Sequence, residues 1–594
     1  MSSRTFRRDA AFVALLSLAA AYARWLKLSS LASDDPGMWL NQVARAVRGE
    51  LPYRDFSWNY PPLSLFVMAG WDRLFGVTFE ANQVAIDLLS LVAVALAYVL
   101  VRMLLPRALQ LATVALLIAI GATALTKFTL FSLLTYSPSL LAGTIGLEIV
   151  LIGALLEVRG KSGLLLLAAG TLISAWSKPE PLLAAFGTLA LLVVLDLRRW
   201  RRLGGLMVAC GAVVGLGYGV VAYVVGWQAL KDGVLGYGLA TFACPWWPTG
   251  IGVLGAIAAL GQGAFGATAI SFRFREAMLA TYGRWYRWMT WFGVPGLLVA
   301  IVYYVMITPF HPPLDARKLV MVGQTTLGSS QVLLPVMWVA ILYWLFLLLR
   351  VMRTSREERE ALVLLTAPVL MSTRSLFGTT LFPYTEVSAI CYLFFIIVGP
   401  YLLWRFLGAA GLSRYAVIAT ATVCVAYVFL RIGGGYSILL SNSRYTALQT
   451  NSGAVRLLDD DGSAEIYRYV AAHTGPDDTV VELPYGGGID FAAARKSPVF
   501  TTEFTQLRMP DRYQQQDLAR ILAHPPAFVV VDRAPNYGTT YGYKANMRCP
   551  CPRIVWEPDE PSWDPNVVNP IVPYIEGKYL PVLTLEYKMI LGPR

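Results

Sequence analysis

The sequence predicts a polytopic α-helical membrane protein of about thirteen transmembrane helices, followed by a soluble C-terminal α/β domain. Three observations carry this prediction. Apolar runs of about eighteen residues or more recur from the N-terminus to about Leu430. Only 14% of the 594 residues are charged and 56% are hydrophobic, whereas a soluble globular chain carries about one quarter charged residues. Beyond Arg431 the hydropathy drops sharply into a polar stretch rich in Pro, Gly and Tyr.

The candidate spans are 9–30, 61–79, 84–105, 108–126, 136–157, 163–177, 181–197, 204–226, 250–270, 289–308, 331–350, 360–376, 385–407 and 413–431. Arg4, Arg7 and Arg8 precede the first run, which lacks a small-residue cleavage site and so reads as a retained helix with its N-terminus in the cytoplasm. The basic loops at 198–202, 273–287, 350–359 and 405–414 also read as cytoplasmic. They place everything after about residue 432 outside. An inside N-terminus and an outside C-terminus need an odd number of crossings, so one candidate span is in excess. The stretch Ser177-Lys178-Pro179-Glu180-Pro181 interrupts the run at 163–197. The expectation is that two half-helices meet there and count as one crossing.

Residues 1–431 are therefore expected to form a transmembrane domain with a first external loop at 31–60, and residues 432–594 an extracytoplasmic domain. In the latter, Ala464 to Ala472 and the stretch ending at Ala519–Leu522 read as helices. Thr479–Leu483 and Phe528–Val531 read as strands. No low-complexity linker separates the two parts, so the domain is expected to sit directly on the membrane part.

The net charge of +12 does not indicate nucleic acid, because the basic residues sit in short clusters between apolar runs. Six cysteines are scattered. Cys210, Cys391 and Cys424 read as packing residues, and Cys549-Pro550-Cys551 lacks the second pair a structural zinc site needs. With only three histidines, no histidine-rich metal cluster is available. No cofactor is required, although carboxylates are compatible with a divalent cation.

The loop from Leu31 to Tyr60 carries the densest chemistry. Asp34 and Asp35 follow the first apolar run, and Met38 to Val47 has helical spacing. Trp39, Val43, Ala46 and Val47 fall on one side, as in an amphipathic helix lying in the membrane interface. Asp35 can cap that helix. Alternatively, one of the two carboxylates is a general base that takes the proton of an attacking hydroxyl.

The acidic pair, Trp39 four residues after Asp35, Gly49-Glu50-Leu51-Pro52-Tyr53-Arg54-Asp55-Phe56 and Tyr60-Pro61-Pro62-Leu63 together resemble the GT-C superfamily. These are polytopic glycosyltransferases that use polyprenyl-phosphate sugars. The bacterial members similar in pattern are those like protein O-mannosyltransferases and lipid A aminoarabinose transferases. The resemblance covers the N-terminal third of the chain well and the overall plan loosely. It implies a GT-C-like fold and a catalytic base at the first acid of an Asp-Glu or Asp-x-Gly motif. Asp35 is the better match by spacing, with Asp34 as its neighbour. The second acid of the family pair is Pro36 if Asp35 comes first, or Asp35 if Asp34 does. Some relatives carry a phosphate-binding lysine just before the Pro-Pro; this chain has Tyr60 there.

Phosphate contact then falls to other residues. Arg54 lies in the loop and Lys178 in the Ser-Lys-Pro-Glu interruption. Arg374 precedes Phe382-Pro383-Tyr384-Thr385-Glu386, and Tyr60, Tyr384 and Glu386 complete the candidate substrate set. Bland readings stand beside these: a solvated Arg54, a Lys178 that snorkels or pairs with Glu180, an Arg374 that flanks a helix end.

The expected activity is inverting transfer of a sugar from a polyprenyl-phosphate donor to an acceptor hydroxyl on a glycan, lipid or protein, outside the cytoplasm. Membrane lipids are the expected surroundings, in a bacterial inner membrane. A transporter or flippase of lipid-linked saccharide and a non-catalytic envelope-assembly scaffold are the rival classes.

Overall fold

A computed structural model of the chain describes residues 3–25, 35–123, 137–196, 199–236, 272–283, 287, 334–377, 385–422, 424–425, 445–458, 462–483, 487–501, 511–532, 570–585 and 588–594. The spans expected at 250–270 and 289–308, most of 413–431 past residue 425, and the Cys549–Cys551 pair lie outside the described residues.

The helical part comprises α1 (Ser3–Trp25), α2 (Asp35–Val47), α3 (Leu63–Phe75), α4 (Phe79–Leu104), α5 (Arg107–Thr123), α6 (Pro138–Val158), α7 (Leu164–Ala175), α8 (Pro179–Leu195), α9 (Trp200–Val225) and α10 (Trp227–Lys231). It continues with α11 (Phe272–Tyr282), α12 (Leu334–Leu349), α13 (Arg356–Phe377) and α14 (Thr385–Ala409). Among the described residues, α4, α6 and α9 are each long and apolar enough to cross a membrane. The protein is a polytopic helical membrane protein.

Ion pairs mark one end of the bundle, called here the lower end. Asp9 meets Arg107 at 3.2 Å, Arg159 meets Glu360 at 2.8 Å, Arg199 meets Glu157 at 3.3 Å and Arg405 meets Glu357 at 3.1 Å. Tyr282 of α11 donates to the Phe406 carbonyl at this same end. The basic loops singled out in the sequence therefore gather on one face.

The opposite, upper end corrects the expected topology at two places. First, α7 and α8 are not halves of one crossing. Glu157, at the lower end of α6, accepts the Gly163 N–H that opens α7 and pairs with Arg199 just past α8. Both α7 and α8 thus have one end there, and Lys178 joins them at the other. They form an antiparallel pair, because Pro179 starts a new helix rather than resuming the old one.

Second, α3, within the expected span 61–79, does not cross. Leu63 N–H reaches the Trp176 carbonyl (3.2 Å) at the top of α7, and Phe79 N–H, just past α3, reaches the Ser452 carbonyl (2.9 Å) of the C-terminal chain. The Arg73 guanidinium also contacts the Ala46 carbonyl of α2 at 3.5 Å. Both ends of α3 are upper. Thirteen residues rise only about 20 Å, against a hydrocarbon core of about 30 Å. With Arg54→Cys or Val77→Cys in a cysteine-free background, a membrane-impermeant maleimide should label both positions from the same face. Labelling from opposite faces would restore α3 as a crossing.

The C-terminal chain folds as an antiparallel hairpin, β1 (Tyr445–Thr450) and β2 (Gly453–Leu458), and a four-stranded sheet. Between and around the sheet strands lie α15 (Ser463–His473), α16 (Gly488–Ala493), α17 (Asp511–Ala523) and α18 (Ile571–Lys578). The strands β3 (Val480–Leu483), β4 (Phe528–Asp532), β5 (Tyr579–Thr584) and β6 (Lys588–Pro593) are ordered β3-β4-β6-β5, with β3 and β4 parallel. All four residues of β3 are buried, as befits a strand covered on both faces. The hairpin sits on the start of α4, where Glu80 accepts the Ala454 N–H at 2.7 Å.

Candidate functional site

α2 and the loop 48–62 form a layer on the upper end. The expectation of an amphipathic helix resting on the membrane interface is overturned: residues Gly37 to Ala46 are buried all round. The polar side is bonded within the protein. Gln42 donates to the Ser57 carbonyl at 2.7 Å. Arg45, 2% exposed, donates to Glu50 (2.6 Å), the Val499 carbonyl (2.7 Å) and the Asp55 carbonyl (2.8 Å). Its guanidinium also stands over the Phe56 ring, 5.1 Å from the centroid. Burial pulls this guanidinium below its ordinary value, and Glu50 opposes the shift.

The loop is pinned from both sides. Arg520 donates to the Asp55 carbonyl at 2.7 Å, and Ser57 N–H reaches the Phe500 carbonyl at 2.8 Å. Tyr53 is held at φ 67°, left-handed for a non-glycine residue. Its hydroxyl, buried and pushed well above the ordinary phenol range by desolvation, donates to the Tyr60 carbonyl. Its ring leaves no room for a side chain at Gly233.

Two of the sequence-predicted site residues meet directly. Lys178, 1% exposed, places Nζ 4.3 Å from the centroid of the Tyr60 ring. Trp58 stands edge-on to Tyr60 at 5.8 Å, and Trp176, two residues before Lys178, stacks on Tyr218 at 4.6 Å. The result is a buried ammonium among aromatic rings at the N-terminus of α8. A buried ammonium is costly unless compensated; a desolvated cation–π contact supplies about 2 kcal/mol. Such a site can hold an anion, with rings beside it for a sugar face or an isoprenoid.

Arg54 is not part of this cluster: it is half exposed and pairs with its neighbour Asp55 at 2.8 Å. That pair, the Leu51 N–H and Arg520 hold the Asp55 carboxyl below its usual range against the upward push of burial.

Asp34 and Tyr384 lie outside the described residues. Asp35, Arg374 and Glu386 are placed by their backbone alone. Asp35 is the first residue of α2. Arg374 and Glu386 follow from helix register. α8 and α13 run antiparallel, since Arg359 reaches the Leu195 carbonyl at the lower end and Leu370 packs on Gly187 halfway up. This puts Arg374 near the level of Leu183, roughly 7 Å below Lys178 along the axis. Arg405 at the lower end of α14 and Glu386 in its first turn put Glu386 at the upper end too.

Sequence reasoning missed Arg45, Asn41, Tyr53 and Trp58 as the residues that hold the layer. The signal for Arg45 was its presence among helix-spaced polar residues in an otherwise apolar segment. Among the described residues, no three of His, Cys, Asp and Glu gather as a metal site would require.

No family model matches the chain, and no curated protein matches it. Solved structures similar to it include ArnT from Cupriavidus metallidurans bound to undecaprenyl phosphate, at 12% identity and a TM-score of 0.42, covering 100% of this chain and 98% of that one. Another is the Archaeoglobus fulgidus oligosaccharyltransferase in its apo form, at 12% identity and a TM-score of 0.45, covering 90% of this chain and 70% of that one. At these scores the likeness assigns no residue and no activity.

Proposed function

We propose that the protein is an integral-membrane glycosyltransferase of the GT-C type that moves a sugar from a polyprenyl-phosphate donor to an acceptor hydroxyl, with inversion. The observation that carries this reading is the meeting of Lys178 and Tyr60. It sets a buried cation beside aromatic rings where the 48–62 loop, a helix N-terminus and the apolar bundle converge. A polyprenyl phosphate needs that combination: a positive charge for the phosphate and an apolar flank for the tail.

Lys178 stabilises charge on the departing phosphate, with Arg374 and Glu386 on neighbouring helices and Tyr60 and Tyr384 beside them. Asp35, or Asp34, removes the acceptor proton as the hydroxyl attacks the anomeric carbon. Residues 1–431 are the catalytic membrane domain and 432–594 an extracytoplasmic domain. The upper end faces outside a bacterial inner membrane, in keeping with the basic residues of the lower end. A transporter would draw on a broken helix at Lys178 and on buried polar groups; the antiparallel α7–α8 pair removes the first of these and leaves the second.

Lys178→Met keeps side-chain length and removes the charge. It should weaken binding of undecaprenyl phosphate to the purified protein by about tenfold or more and lower sugar transfer by about a hundredfold. Unchanged binding and unchanged transfer would remove Lys178 from the site.

A further inference from the structure

The C-terminal chain touches α2 at one other point, and that point is built from buried carboxyls. Asn41 Nδ2 donates to Asp490 Oδ2 at 3.0 Å. Glu482, on β3, accepts the backbone N–H groups of Gly487 (3.2 Å), Ile489 (2.7 Å) and Asp490 (2.8 Å) through one oxygen, Oε1. Its other oxygen, Oε2, and Asp490 Oδ1 are both buried without a donor. Asn41, Asp490 and Glu482 are each 2% exposed or less.

The backbone closes in at the same place. Gly487, at φ +120°, lies so near α2 that a Cβ there would come within 2.7 Å of the Gly37 carbonyl oxygen and of Asn41 Cβ. Gly37 is two residues from Asp35.

Two carboxyls excluded from water do not both ionise. Burial first, and then the Glu482 carboxylate, push the Asp490 carboxyl well above its usual range, while Arg45 opposes the shift. A single proton shared by the pair, on Asp490 Oδ1, would satisfy Glu482 Oε2 while Asp490 Oδ2 accepts from Asn41. Every polar group of the pair is then used except the Asn41 carbonyl oxygen. A plain packing contact would not need two acids in an apolar seam, where each is costly.

We propose that Asn41, Asp490 and Glu482 form a clasp by which the C-terminal chain positions α2, and with it Asp35. This rests on the reading of Asp35 as the base. Asp490 is a positioning residue: it acts through Asn41 and does not touch substrate.

The test uses the full-length protein in detergent micelles. It has two readouts: hydrogen exchange of the α2 amides, and steady-state transfer from radiolabelled polyprenyl-phosphate sugars. Asp490→Ala should raise exchange at residues 38–44 by about tenfold, the loss of one hydrogen bond to a buried group. The amides of α4 and α6 should be unaffected. It should also lower kcat by about tenfold and leave the donor KM unchanged, as expected when a base is misplaced by a small distance. Asp490→Asn, whose amide can accept from Asn41 and donate to Glu482, should restore both. If Asp490→Ala does not assemble, Asn41→Ala breaks the same link and gives the same readings.

Wild-type exchange in α2 for either alanine variant would overturn the clasp, as would failure of Asp490→Asn to restore protection. If α2 loosens as expected but Asp35→Asn transfers sugar normally, the clasp stands and the assignment of the base falls.

Discussion

Asp35→Asn should lower sugar transfer by about 10²- to 10⁴-fold with little change in donor KM, the signature of losing a general base while keeping the binding surface. Asparagine has the shape of aspartate and can still cap α2, so the start of the helix survives. A role as a helix cap and a role as a base therefore give opposite results. Capping alone predicts near-normal kcat at near-normal stability; proton abstraction predicts the same stability and a collapse of kcat. Radiolabelled transfer from polyprenyl-phosphate sugars, measured alongside thermal stability, separates them. If transfer survives in Asp35→Asn, the same substitution at Asp34 decides whether its neighbour is the base. Survival in both would end the carboxylate mechanism.

Arg45→Met should destabilise the upper layer by about 3–5 kcal/mol, the cost of removing one partner from a buried ionic network. Methionine roughly preserves the aliphatic stem and removes the guanidinium that stands over Phe56. The Glu50 carboxylate and the carbonyls of Val499 and Asp55 lose this donor; Glu50 keeps Arg48 at its other oxygen and the Asp55 carbonyl keeps Arg520. Arg45 ties helix, loop and C-terminal chain in one set of bonds, so the loss should appear as raised hydrogen exchange throughout α2 and 48–62. A loss under about 1 kcal/mol, typical of an exposed ion pair, would show that the guanidinium does not hold the layer. Donor binding at Lys178 should be reduced as well, because Tyr60 is fixed through this loop.

Local order was readable from the chain because it is written in short-range patterns. The expected spans 84–105, 136–157 and 204–226 match α4, α6 and α9 within a few residues. A long apolar run has few ways to satisfy its backbone in lipid other than as a helix. The strands expected at 479–483 and 528–531 are β3 and β4, bounded by the turn residues that flank β-branched runs.

Where a run turns back was not readable, because hydropathy records that a segment is apolar and not where its ends go. α3 has the composition of a span and about two thirds of its length. The break at Lys178 is compatible with either a kink or a reversal, and only the bonds of Glu157 at the far end decide for reversal. The candidate site divides in the same way. Its residue types, a carboxylate pair, a lysine beside a helix start and a tyrosine before two prolines, are properties of the sequence. That Lys178 stands over Tyr60, that Arg54 turns away to Asp55, and that Asn41 finds Asp490, 449 positions along the chain, are decided by tertiary packing. Contacts at such separations leave no periodic trace in the sequence: they arise when buried polar groups must find partners among whatever the fold brings within reach.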